Sequence, residues 1–299
     1  MIYTDKDFVL LYAHNVPVKG DDEGVIYDLQ KGRLLHIPAD IVDVFNDSRK
    51  LNMGQLKKKY APSDESIMDQ YMEYFIGQDW AFVTNNPERY PALDFSHCRI
   101  PSLVYNAIVD VGPWTSKTVE QLSACNCKFM DLMLDQIETV SLLPSIAKTI
   151  DTSTIIKYNL YCKVDMDLEK MKQLLKSVKG IKFSKMLVSK NSTAGQKLSV
   201  DGLPSDKIVL VDQEKPIGKK YVSYQYFAEA LYYDTYRHKK IYVDQHGYIY
   251  NVPGDNRKLG NISSDNLRKI CKGKEYLNIS NRPNPKKDSC LRYSYFASI

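Results

Sequence analysis

The sequence predicts an α/β chain in three parts: a winged helix-turn-helix, a barrel-like series of strand–helix units, and a tail built around a hairpin. Three observations predict it. Within residues 1–90, apolar runs broken by a glycine turn are followed by three helical patterns. Across 91–215, strand-like runs alternate with helical ones. Within 216–299, alternating residues flank a polar turn containing Gly247.

The first part sets the order of elements. Phe8 to Tyr12 and Val25 to Leu29 are apolar strand-like runs, and Gln30-Lys31-Gly32 turns the second into Arg33 to Ile37. A glycine in a short polar break between two such runs signals a hairpin. Pro38 to Asn46 reads as a helix with proline at its first position, carrying Ile41, Val42, Val44 and Phe45. Leu51 to Tyr60 is a short basic helix. Ser63 to Asp79 is a third, with a capping serine followed by Asp64 and Glu65 at the positive end of its dipole. Trp80 to Val83 closes the unit as a strand.

Winged helices commonly bind DNA, and charge argues against that here. Residues 1–90 hold ten Lys or Arg and fifteen Asp or Glu, a net of −5, and the third helix has five acids and no base. Duplex binding draws affinity from neutralised phosphates, which an acidic helix repels. The same helix carries Ile67, Met68, Tyr71, Met72, Tyr74, Phe75 and Ile76. That is wider than the apolar stripe of about 100° that one buried face requires. The surplus suits either a protein contact or a fully buried helix.

With 299 residues the chain can bury a large core and hold two or three domains. No apolar run approaches the ~20 residues that span a bilayer, and the start lacks signal-peptide form, so a cytoplasmic location is expected. Net charge is +5 overall, so residues 91–299 carry about +10, opposite to the head. The six cysteines (98, 125, 127, 162, 271 and 290) are scattered, with no Cys-x-x-Cys pair. Neither a disulfide framework nor a zinc site is indicated, and Cys125 and Cys127 read as buried packing.

Asn85 to Pro91 is a linker by composition. Beyond it, strands at Leu103 to Val109, Phe129 to Leu134, Ile155 to Cys162, Phe183 to Val188 and Ile208 to Val211 alternate with helices. Those helices are Ser116 to Ala124, Val140 to Ile150 and Asp167 to Val178. Units of this length imply a mainly parallel sheet covered by helices. Active sites of such folds lie at strand ends, where Asp110 and Asp135 are candidate carboxylates; capping a turn or helix is their more ordinary use. No glycine-rich phosphate loop and no His-Glu metal pair is present. In the tail, Lys239 to Tyr250 is a hairpin, followed by Leu259-Gly260-Asn261-Ile262 and a helix from Ser264 to Cys271. His238 and His246, beside lysines or on the turn, read as solvent-facing.

The first block resembles the peptide-recognition element of ribosomal peptide-modification pathways, a PqqD-like fold. The resemblance implies that a precursor's leader peptide joins as an added strand beside Arg33, Leu34, Leu35, His36 and Ile37. The apposed helix face would be drawn from Ile67, Tyr71, Tyr74 and Phe75. Main-chain bonds would supply affinity and apolar pockets selectivity. Over nearly its full length the chain resembles the SPASM-domain peptide maturase of grasp-with-spasm systems. Val18-Lys19-Gly20, Ile26 to Gln30, Ile37-Pro38, Tyr90-Pro91, Asn106 to Asp110 and the Gly260-Asn261-Ile262 step carry it.

The departures are chemical. That family holds an iron–sulfur cluster for S-adenosylmethionine cleavage with a Cys-x-x-x-Cys-x-x-Cys loop, where this chain reads Val109 to Ser116 without cysteine. Its tail cysteines fall near Tyr236 and Val252 here, and of the closing group Cys290 alone survives. Lone thiolates do not hold a cluster, so neither cofactor nor metal is expected, and radical chemistry is not. The resemblance thus implies a degenerate radical-SAM-type barrel at 91–215 and a degenerate SPASM-like domain at 216–299. The expected role is binding a ribosomally made precursor peptide for a partner, an ATP-grasp ligase that forms ester or amide links through Asp or Glu carboxylates. A peptide-modifying enzyme with unidentified catalytic residues is the alternative, and a DNA-binding regulator the weaker one.

Overall fold

The computed structural model describes residues 2–20, 23–97, 100–178, 180–189, 207–211 and 224–284. The strands are β1 (Phe8–Leu11), β2 (Asn15–Lys19), β3 (Glu23–Asp28), β4 (Arg33–Pro38), β5 (Ala81–Thr84), β6 (Asn106–Asp110), β7 (Phe129–Leu134), β8 (Lys157–Cys162), β9 (Phe183–Ser189), β10 (Ile208–Val211), β11 (Lys240–Val243), β12 (Tyr248–Tyr250) and β13 (Gly260–Asn261). The α-helices are α1 (Ala39–Asp47), α2 (Met53–Tyr60), α3 (Glu65–Gly77), α4 (Thr115–Ala124), α5 (Leu143–Asp151), α6 (Leu168–Val178), α7 (Tyr224–Ala230), α8 (Leu267–Lys272) and α9 (Lys274–Ser280). The chain divides into two units.

The first unit comprises Met1–Cys98, Lys219–Tyr232 and Asn284–Ala297. It holds an antiparallel sheet in the order β2-β3-β4 and a separate antiparallel pair, β1-β5. Side chains alternate across the sheet. On one face Ile26 and Ile37 join Ile41, Phe45, Met72 and Phe75 in a core, with Leu35 packed against it. On the other, Val25 and Tyr27 meet Phe227 of α7, with Leu34 and Phe95 alongside. Tyr27 and Phe227 lie 5.2 Å apart ring to ring.

Several local expectations shift. Strand β2 was not anticipated because Pro17 interrupts its apolar alternation. Pro17 sits opposite Ile26, at a position whose N–H the ladder does not use. Pro38 does not begin α1; it ends β4 with φ −56° and ψ 143° and stands as the residue before the helix. Asn52 caps α2 in a reciprocal box with Gln55, and Asp64 rather than Ser63 caps α3, accepting from the Ser66 amide at 3.0 Å.

The second unit comprises Arg99–Gly218, Tyr233–Pro283 and Ser298–Ile299. Its eight-stranded, mostly parallel sheet runs β10-β9-β8-β7-β6-β11-β12-β13. The mixed α/β class and the mainly parallel sheet are as expected. Strands β6 to β10 are laid down side by side in chain order, each crossover moving one place along the sheet. Helices α4, α5, α6, α8 and α9 share one large core with the sheet side chains Ala107, Val109, Leu132, Leu160, Val188 and Ile241. The opposite face carries a smaller apolar row, Ile108, Met133, Tyr161 and Leu187. In the tail, expected to form a domain from residue 216, β11 pairs with β6 in parallel and carries β12 and β13 into the same sheet. Strand β11 supplies the neighbour that β6 lacked on that side. Cys125, Cys127, Cys162 and Cys271 are buried thiols; Cys98 and Cys290 lie outside the described residues.

Candidate functional site

The β4 edge is the first candidate. Its ladder parity follows from two hydrogen bonds on the far side of the sheet. Leu29 N–H donates to His14 C=O at 2.9 Å and Gly20 N–H to Glu23 C=O at 2.8 Å, both between residues opposite each other in the β2–β3 register. Opposite residues alternate between bonded and non-bonded pairs. Hence Glu23, Val25 and Tyr27 bond toward β2, while Gly24, Ile26 and Asp28 bond toward β4. Their partners are Ile37, Leu35 and Arg33. The backbone groups of Leu34 and His36 therefore point away from the sheet, while Pro38, as the residue before α1, turns its carbonyl into the helix. No strand pairs with that edge among the described residues.

The other edge is protected. On β2 the outward positions are Asn15, Pro17 and Lys19; the Asn15 amide is taken by the Tyr12 carbonyl at 2.8 Å, and proline has no amide to give. Proline and lysine are common devices against strand addition. β4 has neither at Leu34 or His36.

Arg33 fixes the start of the edge. Its guanidinium donates to the buried Asp28 carboxylate at 2.8 Å and lies 4.2 Å over the Trp80 ring, just beyond α3. Burial pushes the Asp28 carboxyl up, but the Lys31 amide, Arg33 and the Gln30 amide outweigh it and hold it below the usual carboxylate range. At the far end His36 Nδ1 lies 3.1 Å from Glu23.

The apolar surplus of α3 is divided by the fold. Met68, Met72 and Phe75 are buried, and Phe75 packs edge-on against Phe45 at 4.9 Å. Ile67 and Tyr74 are 50% exposed, with Tyr71 half-buried between them. Spacings of four and three residues place these three on one stripe. Of the residues named from sequence, Leu35, Ile37 and Phe75 belong to the core side of this unit. Leu34 packs toward α7. Arg33 and His36 are engaged, with Asp28 and Glu23 respectively. Ile67, Tyr71 and Tyr74 remain as a partly exposed stripe. The missed signal was parity: Pro17, read with the Leu29 pairing, identifies which residues of β4 face outward.

The second candidate is the polar layer where the parallel strands of the second unit end. Tyr242 Oη donates to Asp110 at 2.7 Å, Lys163 to Asp135 at 3.1 Å, and Gln136 to Gln245 at 2.6 Å. Burial raises the Asp110 pKa; Tyr242 opposes this, while Asp135 and Asp244 add to it. One row deeper, Asn159 donates to Asp131 at 2.8 Å, and enclosure of that carboxyl pushes its pKa up to about 6. This brings Asp110 and Asp135 into one electrostatic neighbourhood with Asp244, which sequence reasoning did not include.

Among the described residues, no three His, Cys, Asp or Glu side chains are grouped to hold a metal ion. His238 departs from expectation: it is buried, stacked on Tyr233 at 3.9 Å, with Nδ1 2.8 Å from the Ser280 carbonyl. Burial pushes its pKa down to about 4. His246 is exposed on the hairpin turn, as expected. At the positions where the tail cysteines would fall, Val252 is buried and Tyr236 half-buried.

No helix among the described residues is long and apolar enough to cross a membrane. The chain matches no known protein family, and no curated protein matches it. Among solved structures it is similar to Streptococcus suis SuiB bound to S-adenosylmethionine, at 9% identity over 90% of this chain and 89% of that one, with a TM-score of 0.32. It is similar also to SuiB alone (10% identity, 97% and 95% covered, TM-score 0.30) and to SuiB bound to its precursor peptide SuiA (9%, 98% and 98%, 0.28). Likeness at these scores does not assign a fold.

Proposed function

We propose that this chain recognises a ribosomally synthesised precursor peptide and presents it to a partner modifying enzyme. The reading takes residues 1–90 as a PqqD-like winged-helix recognition domain. It takes 91–215 as a degenerate radical-SAM-type barrel and 216–299 as a degenerate SPASM-like domain, in a cytoplasmic protein. The leader enters as an added strand on β4, against the α3 stripe. The observation that supports it most is that, among the described residues, no strand pairs with β4 at Leu34 and His36, set against a β2 edge blunted by Pro17 and Lys19. The partner is an ATP-grasp ligase, as the sequence resemblance implies; the cysteine-free loop from Val109 to Ser116 leaves this chain no thiolates there for a cluster of its own. Pull-down of the chain with an ATP-grasp ligase and a short precursor peptide, sought among the genes beside its own, tests the role. A ternary complex lost on His36→Pro is expected, and a complex indifferent to that substitution would contradict it.

A second reading has one observation in its favour. Asp110, desolvated and hydrogen-bonded by Tyr242, lies at the carboxyl ends of parallel strands, where α/β enzymes place their chemistry. In that reading the chain acts on the peptide itself, with Asp110 as a proton carrier. Asp110→Asn would then abolish modification while leaving peptide binding unchanged; in the first reading it affects neither.

A further inference from the structure

We propose that Cys125 and Cys271 form a reversible disulfide, a redox modification site that ties the tail helix α8 to α4. It is independent of the peptide-recognition reading.

The packing of the two helices brings the thiols together. α4 and α8 lie against each other, and Gln121 fixes their register. Its Oε1 accepts the Leu267 N–H at 2.6 Å, and its Nε2 donates to the Asp265 carbonyl at 3.2 Å. One turn further along each helix stand Cys125, which closes α4, and Cys271, in the last turn of α8. Both are buried in the same core, and their thiols share a hydrogen bond.

The four described cysteines differ in what surrounds them. Cys127 Sγ donates to the Phe129 carbonyl at 3.3 Å, and burial pushes its thiol up to about 12. Cys162 Sγ donates to the Val164 carbonyl at 3.7 Å, and burial pushes it up to about 11. Cys125 goes the other way: the hydrogen bond from Cys271 and the Arg268 charge hold its thiol below the ordinary value, against burial. The same bond, together with burial, pushes Cys271 up. Cys125 is thus the nucleophile, because the thiolate is the reactive form, and Cys271 is the protonated partner beside it.

Hydrogen peroxide serves as the oxidant. The Cys125 thiolate attacks one peroxide oxygen and the O–O bond breaks, leaving a sulfenic acid and a hydroxide that takes up the Cys125 proton as water. The Cys271 sulfur then attacks the sulfenic sulfur. The S–S bond forms as the S–O bond breaks, and the departing hydroxyl takes the Cys271 proton as a second water. Two thiols and one peroxide give one disulfide and two waters, and exchange with a dithiol reverses it. Both side chains are buried, so the oxidant enters by local opening of the short α8 helix.

The test treats the folded full chain, in a Cys98→Ser, Cys290→Ser background, with a small excess of hydrogen peroxide. Remaining thiols are blocked with N-ethylmaleimide, and non-reduced proteolytic peptides are mapped by tandem mass spectrometry. The expected product in most chains is a cross-link from Cys125 to Cys271, released by dithiothreitol. Because the bond closes a loop of more than a hundred residues, the oxidised chain should melt roughly 5 °C or more above the reduced one. Cys127→Ala should leave the cross-link in place. Cys271→Ala should abolish it and leave Cys125 as a sulfenic acid that dimedone traps. The map of the chain with all four described cysteines reads the pairing even where a variant does not fold. Cross-links to Cys127 or Cys162 instead, oxidation of Cys125 without a cross-link, or a cross-link that forms only in denaturant would each overturn the proposal.

Discussion

At the scale of single residues, parity decides what a substitution does. Leu35 stands near the middle of β4. Its N–H bonds inward to Ile26, so Leu35→Pro breaks the sheet and should lower the melting temperature together with binding. Leu34→Pro and His36→Pro remove outward donors, and His36→Pro should leave the fold intact because that side chain is exposed. Melting curves for the three variants check the assignment. Titration gives a second prediction. Buried His238, with its pKa depressed to about 4, supplies stability that is present above the unfolded value near 6.5. That stability is lost as pH falls through 4. Asp131, raised to about 6, acts oppositely: its contribution is full below the unfolded value of 3.8 and lost as pH rises through 6. Asp131→Asn should therefore stabilise the protein at pH 7.5 by about 1 kcal/mol or more. His238→Asn should flatten the decline between pH 6.5 and 4. Melting temperature against pH, for parent and both variants, reads each sign.

At the scale of elements, α3 separates packing from recognition. Phe75 is 1% exposed, so Phe75→Ala should cost about 3–5 kcal/mol of stability and says nothing specific about a peptide. Tyr74→Ala should leave the melting temperature nearly unchanged and weaken peptide binding by ~1–2 kcal/mol, as partly exposed aromatic anchors do. Denaturant unfolding beside anisotropy distinguishes the two. The elements themselves were largely legible: three helices, the β3–β4 hairpin and the tail hairpin all follow from local period and turn chemistry. What was not legible is long-range. α7 and α9 were missed, and β11 was not placed beside β6, because parallel pairing across more than a hundred residues leaves no local signature. The candidate site was legible as a set of residues but not as an arrangement. Periodicity named Ile67, Tyr71, Tyr74 and Phe75 alike, and only packing against Phe45 removes Phe75 from the surface.

At the scale of the whole molecule, chain order and spatial order differ. α7, from residues 224–230, covers the β2-β3-β4 sheet through Phe227, so residues 1–90 produced alone would expose Val25 and Tyr27. That fragment should melt well below the full chain, and Phe227→Ala in the full chain should reproduce part of the loss, about 3 kcal/mol. Differential scanning fluorimetry of fragment, variant and parent measures it. The cysteine-free stretch from Val109 to Ser116 predicts a colourless protein without stoichiometric iron after anaerobic reconstitution, checked by elemental analysis. The central claim is that β4 takes up a peptide strand through its outward backbone groups. Residue-resolved amide hydrogen exchange of the deuterated full chain, with and without saturating precursor leader peptide, tests it most directly. Exchange should slow at least tenfold at Leu34 and His36, and change little at Leu35 and Ile37, which are already bonded to β3. Saturating peptide with exchange at Leu34 and His36 unaltered would contradict it.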